Sequence, residues 1–190
     1  MRLRNHYFLL RHGQTNYQKI GLFYPWPDSS KVCLTRKGRT DIARVAKNLK
    51  KVKIDLIFSS DLFRTKQTAG IITHTLGLKV IFDMRLRDIN FGVYHGQPKE
   101  IFNHDFPLSR LMARFKERPK GGENWNEARQ RVKSFLTEIE KRHQGKNILI
   151  VGHGGPLLLL EGLMKSWSNQ CLVNIVLAQK QIKVGELREI

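Results

Sequence analysis

Short apolar runs alternate with longer amphipathic runs along the 190-residue chain. Three of the short runs, His6–Leu10, Lys53–Ser59 and Asn147–Gly152, are bounded by polar residues or glycine, which is typical of buried strands. The longer runs between them have a helical period. Because strands that alternate with helices form parallel sheets covered on both faces, this order predicts an α/β fold with a mainly parallel sheet.

Three amphipathic helices are predicted from the spacing of apolar residues and from the residues at the ends. In Thr35–Lys51 the apolar residues recur at i, i+3, i+4 and i+7, opposite a face of Arg and Lys. In Asp61–Gly77 the first residue is a candidate N-cap and the last a left-handed stop. Asn124–Arg142 is expected to open with a capping box formed by Asn124 and Glu127.

The remaining segments complete the predicted topology. Pro156 follows a Gly-Gly pair and is expected in the first turn of a fourth helix. Residues 171–178 and 182–187 are predicted to be two more strands, with a hairpin through residues 179–181 as one way to join them. Residues 83–122 are irregular enough to form a cap over the sheet edge. With no repeat and no linker, we expect residues 1–190 to form a single domain.

Composition narrows the class of protein further. An apolar content of 41% supports a sizeable core and excludes a disordered or fibrous chain, while 34 Lys and Arg against 16 Asp and Glu give a net charge of +18, which favours anionic ligands. Cys33 and Cys171 are isolated and indicate neither a disulfide framework nor a zinc site. Without a signal-peptide core or an apolar run of roughly 20 residues, we expect a soluble cytoplasmic protein with no membrane partner.

Two loops, each with a histidine followed by glycine, contain the first candidate catalytic residues. His12 with Gly13 follows the first strand, and His153 with Gly154 follows the third. Ligands of parallel sheets bind beyond the carboxyl ends of strands, and glycine lets backbone amides approach a ligand closely. A neutral imidazole is a competent nucleophile near pH 7, and surrounding cations favour an anionic electrophile such as phosphate.

An arginine and a carboxylate extend this set. Arg64 lies in the first turn of the helix after the second strand, where it can join Arg11 in bidentate bonds to phosphoryl oxygens. Asp88 lies in the irregular region and can serve as general acid and base. Cys33 and Arg39 form a competing C-x5-R pattern of cysteine phosphatases, but this pattern is frequent by chance in an Arg-rich chain, and no buried strand precedes it.

Six segments appear in one order along residues 6–160: RHGQT at 11–15, LTRKG at 34–38, SSDLFRTKQTA at 59–69, LRDINFG at 86–92, GGENW at 121–125 and VGHGG at 151–155. Together they resemble the histidine phosphatase superfamily, in the branch that includes cofactor-dependent phosphoglycerate mutases. The resemblance implies a three-layer α/β sandwich. It also implies a phosphohistidine mechanism that needs neither a metal nor a cofactor.

The resemblance also assigns roles to individual residues. His12 would be the nucleophile, and Asp88 would donate and accept the proton. Arg11, Arg64 and His153 would bind the phosphoryl group and stabilise its charge in the transition state.

Four positions depart from the family pattern. Asp88 stands where Glu is usual, which leaves the identity of the acid open, and Gln14 replaces a common Glu. Gln18 stands at the position of a phosphate-contacting Asn and is expected to contact the phosphate in its place. His95 stands where Glu is frequent and is a candidate for a second titrating group, while Glu123 is expected to orient an Arg or His near the site.

These observations predict a phosphomonoester hydrolase that acts on a small phosphorylated metabolite. Its substrate and oligomeric state stay open, with specificity expected from residues 16–32 and 93–120. Phosphoglycerate mutase-type transfer is one alternative, although such members carry longer insertions. A basic nucleic-acid-binding protein on a phosphatase scaffold is another. The presence of both histidines and both arginines of the predicted site argues against this alternative. Aromatic residues do not alternate with the basic residues either, so no specific nucleic-acid partner is expected.

Overall fold

The sheet is five-stranded and mainly parallel. The computed structural model describes residues 2–25 and 28–190. Its strands are β1 (His6–Arg11), β2 (Leu56–Ser59), β3 (Val80–Phe82), β4 (Asn147–Gly152) and β5 (Leu187–Glu189). They lie in the order β3-β2-β4-β1-β5, with every neighbouring pair parallel except β5, which is antiparallel to β1. The three strands predicted from the apolar runs are therefore the three central ones.

Helices connect and flank these strands. They are α1 (Asn16–Lys19), α2 (Arg36–Leu49), α3 (Phe63–Leu76), α4 (Lys99–Asp105), α5 (Trp125–Arg142), α6 (Gly154–Met164) and α7 (Asn169–Leu177). Short 3₁₀ helices at Met84–Leu86, Gly92–Tyr94 and Leu108–Phe115 lie in the irregular region, together with α4. In the described part of the chain, no helix is both long and apolar enough to cross a membrane.

Each central strand supplies side chains to two hydrophobic cores. Tyr7 and Leu9 of β1 pack in the core that α5 and α6 cover, whereas Phe8 and Leu10 pack in the core under α2 and α3. Successive residues of a strand point to opposite faces, so a sheet covered on both faces needs continuous apolar runs. The fold is a three-layer α/β sandwich, as predicted.

The helix ends follow the sequence signals with one exception. Gly77 ends α3 in the left-handed region at φ 70°, and Asn124 with Glu127 forms both bonds of the capping box of α5. Asp61, however, does not cap α3, so this prediction is wrong. The helix begins one residue later, with Leu62 as N-cap, because the Asp61 carboxylate accepts the Arg87 guanidinium at 2.7 Å.

The C-terminal hairpin is the second wrong prediction. Residues 171–178 lie in α7 and the residue after it, because Ser168 caps that helix by accepting the Cys171 N–H at 3.2 Å. Within residues 182–187 only Leu187 belongs to a strand, and this strand, β5, pairs with β1 instead of a hairpin partner. A short apolar run fits a helix as well as a strand, and the Ser168 cap decides between them.

Candidate active site

The register of β1 and β4 brings the two histidine loops together. Arg11 lies directly opposite Gly152 in this parallel pair, so the next residue of each strand, His12 and His153, leaves the same edge of the sheet. The two imidazole centroids are 5.3 Å apart, and both side chains are completely buried. Gly154 then passes under Arg11, where a Cβ atom would lie 3.0 Å from the guanidinium carbon.

His12 has a defined tautomer. Its Nδ1 lies 2.9 Å from the Gly13 carbonyl oxygen, which can only accept, so Nδ1 carries the proton and Nε2 carries the lone pair. Burial lowers the pKa of His12 well below 6.5, and the charges of Arg64 and Arg11 lower it further. The side chain is therefore a neutral imidazole with a free nitrogen at neutral pH.

His153 has a different set of partners. Its Nε2 lies 2.9 Å from the Ser60 hydroxyl, which can donate or accept, and its buried Nδ1 has no hydrogen-bond partner in the described structure. That Nδ1 lies 3.8 Å from Oδ2 of Asp88. Burial again lowers the pKa of His153 well below 6.5, with the Arg64 charge as the second cause. Ser60 was not singled out from the sequence, although its place directly after β2 was a signal.

Arg64 is fixed by three partners and is only 1% exposed. Its Nη2 donates to Asp88 at 2.9 Å, its Nη1 donates to Asp28 at 3.2 Å, and its guanidinium carbon lies 3.7 Å from the centroid of the Tyr24 ring. Asp28 also accepts the backbone N–H of Phe63 at the start of α3. Burial raises the pKa of Asp28, and Arg64 opposes that rise. Neither Asp28 nor Tyr24 was assigned to this arginine from the sequence.

Arg11 keeps hydrogen-bonding capacity for a ligand. Its Nη1 donates to the Ile182 carbonyl at 3.1 Å, while its Nε is buried without a partner in the described residues. Burial lowers the pKa of Arg11, which still leaves a guanidinium charged at pH 7. An unsatisfied buried N–H of this kind favours binding of an anionic oxygen.

A second arginine holds the loop that carries Asp88. Arg131 donates from Nη2 to the Asp88 carbonyl at 3.0 Å and from Nη1 to the Arg85 carbonyl at 2.6 Å. Glu123 pairs with the same guanidinium at 2.6 Å and accepts the N–H of Asn90. The orienting role predicted for Glu123 is therefore observed, and it acts through Arg131 on the backbone beside Asp88.

Gln18 and His95 lie near the site but have local partners. Gln18 forms a capping box with Thr15, in which its side-chain oxygen accepts the Thr15 N–H at 3.2 Å. Its predicted contact with phosphate stays a prediction. His95 Nδ1 lies 2.9 Å from the Tyr24 carbonyl and its Nε2 lies 2.7 Å from Asn90, and burial lowers its pKa. His95 thus joins the loop at Asn90 to Tyr24.

A pocket of about 280 Å³ lies beside Gln18. Its polar lining comprises Gln14, Gln18, Lys37, Asp41 and Lys99. The Lys99 side chain is partly buried, and burial lowers its pKa, with repulsion from Arg11 as the second cause. Lys99 lies in residues 93–120, one of the two segments expected to set specificity.

Aromatic residues in and near the two segments expected to set specificity mostly contact one another. Phe23 and Phe91 have ring centroids 4.4 Å apart, and Phe102 and Phe106 stack at 5.0 Å. They hold α4 and the neighbouring 3₁₀ turns together. Tyr24 is different, because it lies against Arg64 and its hydroxyl is 3.2 Å from the Thr15 hydroxyl.

Two buried neutral imidazoles beside two guanidiniums, at the carboxyl edge of a parallel sheet, are the arrangement of an α/β enzyme that acts on phosphoryl groups. The family model "Histidine phosphatase superfamily (branch 1)" matches residues 7–184. The chain belongs to this superfamily, as the six sequence segments indicated.

Relatives of known or assigned activity agree with the family. The putative phosphoserine phosphatase 2 of Hydrogenobacter thermophilus is 33% identical over 176 residues, covering 88% of this chain and 82% of that protein. The probable phosphoglycerate mutase GpmB of Escherichia coli is 33% identical over 154 residues, covering 77% and 68%. A mycobacterial glucosyl-3-phosphoglycerate phosphatase solved with VO3 superposes with a TM-score of 0.84 at 25% identity, covering 97% and 91%.

The protein is therefore a histidine phosphatase: it hydrolyses a small phosphomonoester through a phosphohistidine intermediate, and the reaction needs no metal.

Proposed function

We propose that His12 is the nucleophile of this phosphatase. The observation that carries the proposal is the bond from Nδ1 to the Gly13 carbonyl at 2.9 Å, which leaves the lone pair on Nε2. Burial beside Arg64 and Arg11 keeps the pKa of this imidazole well below 6.5, so it needs no base to activate it. A phosphate dianion drawn to the two guanidiniums would meet that nitrogen directly.

Arg11, Arg64 and His153 bind the phosphoryl oxygens in this proposal. A substrate oxygen takes the place of Asp88 on Nη2 of Arg64, which frees the carboxyl group for proton transfer. Asp28 and the Tyr24 ring keep the guanidinium in place during the exchange. Cations held in position before the substrate arrives stabilise the transition-state charge without reorganisation.

Asp88 is the proposed proton donor. In the first half-reaction the bond from His12 Nε2 to phosphorus forms, the ester O–P bond breaks, and the leaving oxygen takes the Asp88 proton. In the second, water gives a proton to the Asp88 carboxylate and attacks phosphorus, and the N–P bond breaks to release phosphate. Gln18 binds a phosphoryl oxygen through its side-chain amide N–H in this proposal, since its amide oxygen already accepts the Thr15 N–H.

The Asp88→Asn variant tests this assignment. We expect kcat/KM to fall about 10²–10³-fold for an alkyl phosphate, whose leaving group needs a proton, and less than tenfold for an aryl phosphate with a good leaving group. Glu117→Gln, which neutralises an exposed cap carboxylate, is the matched control. An equal loss on both substrates would remove Asp88 from the acid role.

The proposed substrate carries a second anionic group close to the ester. Lys99 is partly buried, and its charge is repelled by that of Arg11. It lines a pocket with Gln14, Gln18, Lys37 and Asp41, and because Asp41 is paired with Lys37 at 2.5 Å, the Lys99 ammonium can receive that group. The names of two relatives, a phosphoserine phosphatase and a glucosyl-3-phosphoglycerate phosphatase, describe substrates with a carboxylate close to the phosphate, which supports the same class for this chain. A charge-assisted bond from a half-buried ammonium would add about 1.5–3 kcal/mol to binding.

Matched substrate pairs test the substrate class. Phosphoserine and phosphoethanolamine differ only in the carboxylate. The second pair is 3-phosphoglycerate and glycerol phosphate, in which a hydroxymethyl group replaces the carboxylate. We expect a kcat/KM preference of about 10–100-fold for the carboxylate member of at least one pair, lost in Lys99→Met and kept in Lys133→Met. No preference in either pair, or a preference that survives Lys99→Met, would contradict the proposal.

We further propose that the chain works as a single domain, residues 1–190, in which residues 83–122 cap the site. Net hydrolysis is the favoured outcome, and release of inorganic phosphate from 3-phosphoglycerate would support it. Transfer of the phosphoryl group between phosphoglycerates without release would favour the mutase suggested by the GpmB relative. The free Cys33 and Cys171 thiols fit a reducing compartment, so we place the protein in the cytoplasm.

A further inference from the structure

Positive charge is concentrated on one exposed face of the molecule. Residues 36–53, which comprise α2 and the turn after it, contain eight Lys and Arg and a single acidic residue, Asp41. This segment supplies a net +7 of the +18 of the whole chain. All eight cationic residues are exposed, and we call them the α2 basic face: Arg36, Lys37, Arg39, Arg44, Lys47, Lys50, Lys51 and Lys53.

Few carboxylates neutralise these charges. Lys37 and Arg44 share Asp41, at 2.5 and 3.4 Å. The other six cations of the face form no ion pair with any carboxylate in residues 2–25 and 28–190. Helix α5 is arranged differently, since Glu138 pairs with both Arg85 and Arg142. The α2 basic face is therefore open to an external anion.

The shape of the face excludes a small anion as its main ligand. Ile42, Ala46 and Leu49 lie on the side of α2 that packs in the core and are completely buried, whereas the cations within the helix are exposed to solvent. A 14-residue helix is about 21 Å long, so the charges are spread over a distance that only an extended polyanion can match.

The composition of the face discriminates among polyanions. Residues 36–53 contain no aromatic side chain on which unpaired bases could stack, as binding of single strands requires. None of their large apolar side chains is exposed, so the face has nothing to insert into a bilayer. Three of the eight cations are arginines, which bind phosphate by paired hydrogen bonds.

We propose that the α2 basic face binds the phosphate backbone of double-stranded nucleic acid without sequence preference, a property separate from the phosphatase reaction. A duplex carries one negative charge per about 1.7 Å of its axis, so the face lies opposite a dense row of phosphates. With four or five phosphates neutralised, the slope of log K against log salt is about −4, and affinity falls roughly 10²-fold between 50 and 200 mM salt.

Fluorescence anisotropy with a 20-base-pair DNA duplex tests the proposal. The variant Arg39→Gln, Lys47→Gln, Lys50→Gln removes three charges from the face. Its control, Lys133→Gln, Lys141→Gln, Lys146→Gln, removes three exposed charges elsewhere and has the same net charge. We expect the first variant to make the salt slope shallower by about 3 and to weaken binding at least 30-fold at 50 mM salt, and the control to weaken it less than threefold.

Three results would overturn the proposal. Equal losses in the two variants would mean that overall charge alone attracts DNA. Tighter binding of the single strand than of the duplex would mean that bases, not a double backbone, are recognised. Binding to vesicles of anionic phospholipid together with no measurable binding to the duplex would assign the face to membranes. Hydrolysis of an aryl phosphate should be unchanged in both variants, since neither alters a residue of the phosphoryl site.

Discussion

His12 and His153 occupy equivalent places in the fold and differ in what holds them. Each follows a central parallel strand and precedes a glycine, and each is buried with a pKa lowered by burial and by Arg64. The carbonyl of Gly13 fixes the tautomer of His12, whereas the Ser60 hydroxyl permits either tautomer of His153. The comparison teaches that the hydrogen-bond partner, more than burial or charge, distinguishes the two imidazoles.

The carboxylate near the pair strengthens the distinction. Asp88 Oδ2 lies 3.8 Å from His153 Nδ1, too far for a hydrogen bond but close enough to favour a proton on that nitrogen. His153 is thus suited to donate to a phosphoryl oxygen, and His12 to attack phosphorus. The same substitution at His12 and at His153 should therefore lower kcat by different amounts.

His12→Ala should have the largest effect. Removal of the proposed nucleophile would abolish the phosphohistidine route, so we expect kcat for an aryl phosphate to fall by on the order of 10⁴ or more. Steady-state release of the aryl alcohol measures it. Activity within tenfold of the wild type would contradict the mechanism.

His153→Ala should cost less than His12→Ala. The variant keeps the nucleophile and loses one donor to the transition state, which is worth about 10²–10³ in kcat. The same assay gives the ratio of the two variants. A loss as large as that of His12→Ala, with no phosphoenzyme formed, would remove the difference in roles.

Unfolding free energy should depend on pH through both histidines. In the unfolded chain each imidazole binds a proton as the pH falls through about 6.5, whereas the folded state, with its lowered pKa, does not. Stability should therefore be lost below pH 6.5, by about 1 kcal/mol per pH unit for each histidine until the folded pKa is reached. Urea unfolding between pH 5 and 7.5 measures the slope.

The double variant His12→Asn, His153→Asn should have a shallower slope in the same titration. An unchanged slope would assign the acid sensitivity to other groups.

Ser60→Ala should have the smallest effect. Loss of the hydroxyl leaves His153 Nε2 without its 2.9 Å partner but leaves His12 untouched, so we expect kcat to fall about three- to tenfold. Formation of the phosphoenzyme should be slowed and not abolished. An effect above 10²-fold would give Ser60 a direct role in binding the phosphoryl group.

Sequence patterns predicted the parts of the site that local rules determine. His12 and His153 could be located because each is delivered by a strand and followed by glycine, and Arg64 because it starts the helix after another strand. The contact of Asp28 with Arg64 could not be predicted, because it joins residues 36 positions apart through a loop with no repeating pattern.

Competition between signals explains the two errors in the fold. Asp is a residue type favoured at N-caps, but the Asp61 carboxylate forms a tertiary ion pair with Arg87 instead. In α7 the apolar residues after Cys171 fit the helical period as well as the strand period. The signal that decides between them is Ser168, which precedes them and caps the helix.

Trapping of the phosphoenzyme tests the central claim, that His12 and not His153 forms the covalent bond to phosphorus. Wild-type protein mixed with a phosphorylated substrate and quenched in base within milliseconds should carry one phosphoryl group, stable in base and labile in acid, on the peptide that contains His12. His153→Ala should still be labelled, more slowly, and His12→Ala should not. Phosphate on His153 or on Cys33, or labelling of His12→Ala at the wild-type rate, would contradict the account.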